Sequence, residues 1–327
     1  MVFPSAVAAH GLCARSAYTG EVKVCFVPPE PMSAPTADPE TFIRALPLWR
    51  GPIDIAPLLG GITNKNYIVI DGGRRVVVRL GGDIPVHGVM RFNELAASRA
   101  AGAAGVSPKV LYSAPMALAL EFISGRTYNA EDVCQNRKRC VDLIKRVHHE
   151  VARHLRGPTL AFNVFHIIRD YAHTLVEDKS RISGELPRLL AAGEALEKAT
   201  GPIDLVFGHN DLLAANFIDD GRRLWLVDWD YAGWNTPLFD LGGLSSNNGF
   251  NVADDEAMLE EYFEAPATDA LRRRFKAMLC ASLLRETLWS LVSESRSTID
   301  FDYVGYSDQN MSRFEAAWAA FQQMEIA

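Results

Sequence analysis

The chain between residues 53 and 80 carries short runs of β-branched residues, a pattern that is typical of strands. Two of these runs, at 67–70 and 76–80, are separated by an Asp-Gly-Gly turn sequence, which predicts a β-hairpin. A helix that ends in small residues is predicted from about 89 to 103, and a further strand from 118 to 123. This region therefore predicts a small sheet with one helix.

Helical patterns dominate the rest of the chain. We predict helices at about 130–154, 164–180, 187–199, 254–264 and 268–296. The exception is a short β segment around residues 205–230, which also holds the densest polar chemistry. A small sheet followed by a longer helical part predicts an α+β fold.

Three segments are predicted along the chain. Residues 1–40 show no sustained periodicity and include a proline-rich stretch, so we expect a disordered or loosely packed N-terminal arm. Residues 41–125 are expected to form a small β-rich lobe, and residues 126–327 a larger, mainly helical one. A chain of 327 residues is long enough for two lobes that share one cleft.

The charge distribution bears on the class of ligand. The net charge of −7 argues against a nucleic-acid-binding protein, which usually carries a basic surplus. Residues 1–200 carry 19 acidic and 24 basic side chains, whereas residues 201–327 carry 21 acidic and 9 basic ones. A basic first part suits a polyphosphate and an acidic second part suits a cation, although random drift of surface charge is the simpler explanation when this feature stands alone.

Cysteine usage and hydropathy bear on the compartment. The five cysteines form no Cys-x-x-Cys pair, and reduced thiols are their simplest interpretation. No apolar run approaches the roughly 20 residues that a membrane span needs. The apolar residues 1–9 lack the basic start and the long apolar stretch of a signal peptide. We therefore predict a cytoplasmic protein that has no membrane partner.

A His-Asn-Asp sequence at residues 209–211 begins the stretch of densest chemistry. Asp211 and Asn216 are five residues apart, the spacing of the Asp and Asn in the catalytic loop of kinases, where the Asp accepts a hydroxyl proton and the Asn binds metal. Asp228 follows 17 residues later, at the end of an apolar run, where a metal-binding Asp is expected. An isolated Asp-x-x-x-x-Asn occurs by chance in many proteins, but the loop, the strand and Asp228 together predict phosphoryl transfer.

These stretches resemble the choline/ethanolamine kinase family, part of a wider group that includes the aminoglycoside phosphotransferases and shares the protein-kinase-like bilobal fold. The resemblance covers about residues 45–320. The matching stretches are residues 60–67, the 209–211 loop, residues 227–233 with 239–241, and residues 285–306. It implies a β-rich N-lobe, a helical C-lobe, ATP and Mg²⁺ as cofactors, and phosphorylation of a small amino alcohol, with choline as the first candidate.

The resemblance also implies a nucleotide site. Gly61, Thr63 and Asn64 would form the turn over the ATP phosphates, where the backbone approaches closely because glycine has no Cβ. Arg79 would contact the α and β phosphates, and Glu94 on the following helix would pair with it. Most of the wider superfamily carries Lys at the place of Arg79, whereas the choline kinases resemble this chain in carrying Arg.

The same resemblance assigns roles to seven positions in the hinge and the loops. Glu121 and Ile123 fit the hinge between the lobes, where backbone groups would bind adenine. His209 and Asp240 are expected to support the catalytic loop without touching the substrate. Asn216 and Asp228 are the implied Mg²⁺ ligands, and Asp211 is the implied catalytic base.

The acceptor site implied by the resemblance is rich in aromatic residues. The residues expected to contact the acceptor are Asp211, Asp230, Trp234, Glu286, Trp289 and Tyr306, with Tyr231 close to the cleft. Aromatic faces and nearby carboxylates are what hold a quaternary ammonium group. Glu286 stands where the family has a second Trp, on the same helical face as Trp289, and its carboxylate could favour a primary ammonium instead. Alternatively, Trp289 is a core residue of a helix pair.

Several alternatives stay open at this point. The acceptor could be ethanolamine, an aminoglycoside or thiamine, since all are cations. A pseudokinase that binds nucleotide or choline without turnover is the alternative from a different class, although Asp211, Asn216 and Asp228 are all present. A small-molecule substrate is the partner that we predict; nucleic acid is not expected, and a homodimer is compatible with the sequence without being indicated by it.

Overall fold

The computed structural model describes residues 38–58 and 64–326; the arm predicted at residues 1–40 therefore lies almost wholly outside the described residues, as do Gly61 and Thr63. In the described part the strands are β1 (Ile53–Leu58), β2 (Lys65–Asp71), β3 (Arg74–Leu80), β4 (Val110–Ala114), β5 (Ala117–Glu121), β6 (Arg126–Thr127), β7 (Val206–Gly208), β8 (Phe217–Asp219), β9 (Leu224–Leu226) and β10 (Gly233–Asn235). The helices there are α1 (Pro39–Arg44), α2 (Arg91–Ala103), α3 (Ala130–Gln135), α4 (Arg137–Arg146), α5 (Ala152–His154), α6 (Val164–Glu177), α7 (Leu186–Thr200), α8 (Pro237–Asn248), α9 (Val252–Phe263), α10 (Asp269–Arg296) and α11 (Tyr303–Ile326).

A five-stranded antiparallel sheet in the order β1-β2-β3-β5-β4 forms the first part of the fold. The strands β2 and β3 form the predicted hairpin, and its turn residues Gly72 and Gly73 both have a positive φ that side chains with a Cβ rarely adopt. Val76 and Val78 alternate along β3 and are fully buried on one face together with Val69 of β2. This alternation specifies the register because a slip of one residue would expose all of these side chains.

Two small sheets carry the loops of the candidate site. The strand β6 pairs with β8, which in turn pairs with β9, so the chain enters the helical part through this three-stranded sheet. The strand β7 pairs antiparallel with β10 and brings the ends of two loops together. The predicted β segment at 205–230 is thus confirmed as three short strands, β7, β8 and β9.

The 28-residue helix α10 runs through the helical part and packs against α6, α7, α8 and α11. Its start agrees with the predicted helix at 268–296, since the Thr268 side chain caps it by accepting from the backbone N–H of Leu271 at 3.2 Å. Leu284, Leu288 and Val292 are almost completely buried along it. A helix that is surrounded in this way is apolar on several faces, which suits a core position.

The prediction of one helix over 130–154 is wrong. The segment contains α3, α4, a turn of π-helix at Val147–Val151, and α5. The first break lies at Asn136, whose backbone is non-helical (φ −109°, ψ 25°) and whose side-chain amide donates to the backbone oxygen of Asp132 at 2.8 Å. Asparagine often interrupts a helix in this way because its side chain competes for backbone hydrogen bonds.

Two helices were not predicted from the pattern of apolar residues. In α8 nearly every residue is buried, including the polar Asp240, Ser245 and Asn248, so the helix has no solvent-facing polar side to produce a periodic signal. The helix α11 begins at Tyr303, inside the stretch that the sequence marked only as an acceptor region. When tertiary contacts bury the polar residues of an element, its sequence shows no amphipathic periodicity.

The described residues form one hydrophobic cluster in the five-stranded sheet and a larger one in the helical part. The predicted α+β, two-lobed fold class is therefore confirmed, whereas the boundary at residue 125 stays a prediction. Within residues 38–58 and 64–326 no helix is long and apolar enough to cross a membrane. The described cysteines, Cys134, Cys140 and Cys280, are free thiols.

Candidate active site

The loop after β7 is held by one buried carboxylate. Asp240, in the first turn of α8, accepts hydrogen bonds from the backbone N–H groups of His209 at 2.9 Å and Asn210 at 2.7 Å. A Cβ at Gly208 would stand 2.9 Å from this carboxylate, so glycine is required there. Asn210 has a φ of +64°, which a non-glycine residue adopts at a small energetic cost. Asp240 thus holds the backbone that carries Asp211, in agreement with the supporting role expected for it.

Asp240 is held in turn by a buried histidine. The Nε2 atom of His148 lies 2.8 Å from Asp240 Oδ2, and its Nδ1 atom lies 2.8 Å from the hydroxyl of Tyr262. Burial alone would raise the pKa of Asp240, but the hydrogen bond from His148 and the nearby His209 hold that pKa below its usual range. The loop is therefore held by an ionised carboxylate that accepts hydrogen bonds from two backbone N–H groups and from His148.

Asp211 is tied to Asn216 across the loop. The Asn216 amide nitrogen donates to the backbone oxygen of Asp211 at 2.9 Å and lies 3.4 Å from its Oδ2. Burial raises the pKa of the Asp211 carboxyl to about 8, Arg285 opposes this rise, and the carboxylates of Asp228 and Glu286 add to it. A carboxyl group that titrates near neutral pH is suited to accept a proton from a hydroxyl group.

Asp228 offers its carboxylate to the same loop region from a strained backbone. It follows β9 after Val227 and has a φ of +70°, a left-handed conformation that costs energy for a non-glycine residue. Its side chain keeps 28% of its surface exposed, whereas that of Asp230, two residues later, keeps 2%. Oδ1 of Asp228 lies 2.9 Å from Nη2 of Arg79. The partly exposed carboxylate is thus anchored to β3 by a buried guanidinium.

Arg79 is the centre of an ionic network between the sheet and the loops. Its Nη1 atom lies 3.2 Å from Glu94 Oε1, and its Nη2 atom lies 2.9 Å from Asp228 and 3.1 Å from Asp230. The expected ion pair between Arg79 and Glu94 is therefore present. Burial alone would lower the pKa of Arg79, but Asp228, Asp230 and Glu94 raise it well above its usual value. The guanidinium stays charged in a buried position.

Arg91 is a member of this network that the sequence reasoning missed. Its Nη1 atom lies 2.5 Å from Glu94 Oε2 and 2.9 Å from Asp230 Oδ1. Burial raises the pKa of Glu94 and the two arginines oppose that rise, whereas they hold the pKa of Asp230 below its usual range against the effect of burial. The spacing of Arg91 and Glu94, three residues apart on one predicted helix, was a signal that could have found the pair.

Asn64, the described residue of the predicted phosphate turn, also contacts the network. Its amide nitrogen donates to Asp230 Oδ2 at 2.7 Å. Asp230 is thereby engaged by Asn64, Arg79 and Arg91 and is 2% exposed. Two of these partners, Asn64 and Arg79, are predicted to bind the nucleotide, and contact of Asp230 with an acceptor, which stays a prediction, would require these pairs to open. Gly61 is outside the described residues.

The predicted hinge residues lie where the chain leaves the five-stranded sheet. Glu121 ends β5, and its backbone N–H donates to the backbone oxygen of Lys109 at 3.0 Å. Ile123 lies between β5 and β6, the strand that pairs with β8 of the helical part. Both residues therefore occupy the connection between the two parts of the fold, and their contact with adenine stays a prediction.

Trp289 is buried in this structure. Its indole N–H donates to the hydroxyl of Tyr231 at 2.9 Å, and the residue is 4% exposed. The rings of His87 and Tyr303 lie 5.1 Å and 6.2 Å from the Trp289 ring, centre to centre. The Trp289 ring thus has protein partners, as the core interpretation requires, and its contact with an acceptor stays a prediction.

Trp234 lies on β10 beside the catalytic loop. Its indole N–H donates to Thr159 Oγ1 at 2.9 Å, and its ring packs edge-on against Phe207 of β7, 5.6 Å away. These contacts support the strand pair that carries the loop. A role of Trp234 in acceptor binding stays a prediction.

Glu286 and Tyr306 are brought together as the sequence predicted, with a third residue that it missed. The Tyr306 hydroxyl donates to Glu286 Oε1 at 2.8 Å, and Arg285 Nη1 donates to Glu286 Oε2 at 2.8 Å. The Arg285 guanidinium carbon lies 4.5 Å from the centre of the Tyr231 ring. The partners Tyr231 and Arg285 are 54 positions apart in the chain, so no local pattern could have revealed this contact.

The donor atoms in the loops suit a magnesium ion that is shared with a nucleotide. Within the described residues no group of three or more His, Cys, Asp or Glu side chains could hold a metal ion alone. Mg²⁺ usually takes one or two carboxylates and completes its shell with phosphate oxygens and water. Asp228 provides a partly exposed carboxylate, and Asn216 uses its amide nitrogen toward Asp211, which leaves the amide oxygen for a metal. The oxygen atoms of Asp228 and Asn216 are therefore of the kind that binds Mg²⁺.

Comparison with known proteins gives the family. The model of the phosphotransferase enzyme family (APH) matches residues 54–277, more than half of the chain. The chain belongs to this family. The result confirms the resemblance, the kinase-like fold and the class of ATP-dependent phosphotransferase that the sequence predicted.

Curated relatives and solved structures are similar to this chain over most of its length. Ethanolamine kinase 2 of Mus musculus is 29% identical over 283 residues, which are 76% of this chain and 71% of that protein. A choline/ethanolamine kinase family protein from Mesorhizobium loti is 29% identical with a TM-score of 0.71 over 87% of this chain and 95% of its own. Choline kinase LicA of Streptococcus pneumoniae has a TM-score of 0.68 at 22% identity over 80% and 93% of the two chains, and this likeness shows the fold alone.

Proposed function

We propose that the protein transfers the γ-phosphoryl group of ATP to the hydroxyl group of an amino alcohol such as choline or ethanolamine. The observation that carries the proposal is the joint geometry of Asp211, Asn216 and Asp228: the first two are linked by a hydrogen bond, and the third is anchored to the buried Arg79. The names of the two relatives at 29% identity, ethanolamine kinase 2 and a choline/ethanolamine kinase family protein, support the acceptor class.

Each group has a role in the proposed reaction. Asp211 orients the acceptor hydroxyl and takes its proton while the hydroxyl oxygen forms a bond to the γ-phosphorus. The bond between the γ-phosphorus and the bridging oxygen breaks, and ADP leaves with that oxygen. Arg79 binds phosphate oxygens, and Asn216 and Asp228 would hold Mg²⁺. When it is bound, Mg²⁺ neutralises part of the charge on the phosphates.

The test is an ADP-release assay over a panel of amino alcohols with the variant Asp211→Asn. We expect kcat to fall by about 10²–10⁴-fold because the proton acceptor is lost, while the KM for ATP changes little. The control is Asp204→Asn, the same change at an exposed residue for which the structure shows no site contact. A variant Asp211→Asn that keeps the wild-type kcat would refute the assignment of Asp211.

A protein that binds nucleotide without turnover makes a different prediction in the same assay. It would release no ADP above the buffer rate with any acceptor, at any Mg²⁺ concentration. Binding of ATP measured by calorimetry in parallel separates this outcome from misfolding.

A further inference from the structure

Arg285 is a positively charged side chain of the protein that lies against Tyr231. The sequence analysis expected the positively charged substrate near this tyrosine. The guanidinium carbon of Arg285 lies 4.5 Å from the centre of the Tyr231 ring and 5.6 Å from that of Phe162. The residue is 4% exposed. Tyr231, which was expected near the acceptor, thus already has a cation of the protein on one face of its ring.

The hydrogen bonds of this guanidinium are incomplete on one edge. Nη1 donates to Glu286 Oε2 at 2.8 Å, whereas Nε and Nη2 have no hydrogen-bond partner among the residues that the structure describes. Arg79 differs, because both of its terminal nitrogens bind carboxylates and only its Nε lacks a partner. A buried donor without a partner is destabilising, more so when it is charged, so two on one side chain are a sign of a missing ligand.

The two unpartnered atoms define the chemistry of that ligand. The Nε–H and Nη2–H groups of an arginine lie parallel on one edge of its planar guanidinium, and this edge binds the two oxygens of a carboxylate at once. A neutral hydroxyl would satisfy only one of the two donors. A quaternary ammonium offers no acceptor at all and would be repelled by Arg285.

Arg285 lies beside the loop that carries Asp211. It stacks on the ring of Tyr231, and the backbone oxygen of Tyr231 accepts a hydrogen bond at 3.0 Å from the side-chain amide of Asn210, the residue before Asp211. Tyr231, on which it stacks, follows Asp228 by three residues. Next to the guanidinium, the Glu286 side chain keeps 20% of its surface exposed. A carboxylate and a guanidinium thus stand side by side.

We propose that the Nε/Nη2 edge of Arg285 binds a carboxylate on the acceptor, which makes the acceptor an amino alcohol of the hydroxy amino acid class. This inference rests on the proposed function and narrows its substrate. An α-amino acid carries its ammonium and carboxylate on one carbon, and Glu286 and Arg285, which pair with each other through Oε2 and Nη1, carry the two opposite charges side by side. Arg285 is then the residue that selects a zwitterion over a simple cation.

The test uses acceptors that differ only or mainly by a carboxylate: ethanolamine against L-serine, 3-aminopropanol against L-homoserine, and choline against carnitine. Phosphorylation and thermal stabilisation are measured for each compound with the wild-type protein, Arg285→Gln and Arg285→Lys. We expect the wild type to bind and phosphorylate at least one carboxylated member about tenfold better than its partner. In Arg285→Gln the ratio of its KM to the KM of its partner should rise about 10–100-fold.

The variant Arg285→Lys separates charge from geometry. It keeps the positive charge but lacks the planar fork, so it should recover only a small part of the affinity for the carboxylated acceptor. A purely structural Arg285 would lower the melting temperature and affect both members of each pair equally. Equal losses of kcat for all acceptors would place the edge on the transferred phosphoryl group and would overturn the inference.

The remaining outcomes also decide the question. Turnover of ethanolamine or choline without binding or phosphorylation of any carboxylated compound would leave the proposed function intact and overturn this inference alone. The absence of ADP release with all six compounds would count against the proposed function. Thermal stabilisation would then test Arg285 separately. No rise in melting temperature with any carboxylated compound overturns the inference, and a rise that Arg285→Gln abolishes supports it.

Discussion

Replacing Asp240 by Asn tests whether the catalytic loop depends on one buried carboxylate. Oδ2 of Asp240 accepts from the backbone N–H of His209 and lies 2.8 Å from His148 Nε2, and Oδ1 accepts from the backbone N–H of Asn210. An asparagine offers one oxygen and one NH₂ group in the same space. Whichever way the amide is turned, at least one backbone N–H group then faces another donor.

The size of the effect follows from these contacts. A hydrogen bond to a charged group contributes about 1.5–3 kcal/mol, and a buried donor left without an acceptor costs about 1–3 kcal/mol. We therefore expect Asp240→Asn to lower the free energy of unfolding by about 3 kcal/mol. Since Asn210 and His209 precede Asp211 directly, kcat should also fall, by about tenfold or more, while the KM for ATP changes little.

The assay is urea unfolding followed by tryptophan fluorescence, together with steady-state kinetics. The matched control, Asp204→Asn, changes an exposed Asp and should alter the free energy of unfolding by no more than about 0.5 kcal/mol. Replacing His148 by Phe in both backgrounds should show strong non-additivity because His148 and Asp240 share a hydrogen bond. A loss below about 1 kcal/mol with an unchanged kcat would refute the reasoning.

Three further expectations follow from the site. Asp228→Ala should weaken ATP binding and the response to Mg²⁺ together, as titration of Mg²⁺ against both proteins would reveal; an unchanged metal response would make Asp228 purely structural. Trp289→Leu should lower the free energy of unfolding by about 3 kcal/mol, since the buried ring also loses its hydrogen bond to Tyr231, and unchanged stability with a raised KM for the acceptor alone would contradict this. Burial and the charge of Arg285 lower the pKa of His87 to about 3, below the 6.5 of the unfolded chain, so the unfolded state binds more protons between these values. Stability should fall as pH drops through that window, by up to about 1.4 kcal/mol per pH unit, and His87→Asn should flatten the slope measured by denaturation at several pH values; an equal slope in both proteins would disprove the effect.

The parts of the site that the sequence predicts are those whose residues are close together in the chain. Asp211 and Asn216 are five residues apart in one loop, and their hydrogen bond lies within that loop. The hairpin of β2 and β3 is equally local, since its glycine turn and its alternating valines are adjacent in the chain. Arg79 and Glu94 are on neighbouring elements, and the family resemblance supplied their pairing.

The parts that the sequence did not predict depend on contacts between distant segments. Arg285 is placed in the site by its contacts with Tyr231 and Phe162, which are 54 and 123 positions away in the chain. The helix α8 carries buried polar residues whose partners lie on other elements, such as Asn248, which donates to the backbone oxygen of Leu212. Periodicity records only how a segment divides its own residues between water and core, and it therefore misses elements whose polar groups are satisfied inside.

The buried charges around Arg79 bear on how metal and nucleotide binding would be linked. In this structure Arg79 shares its Nη2 atom between Asp228 and Asp230, so part of the negative charge of Asp228 is already neutralised. If Asp228 held a divalent cation, its attraction for the guanidinium would weaken, and Arg79 would then be able to contact phosphate oxygens. Asp230 would keep its ion pair with Arg91, so the buried network would not be left with an unpaired carboxylate. Such an exchange would couple the two binding events, because Asp228 would hold the metal and also pairs with Arg79.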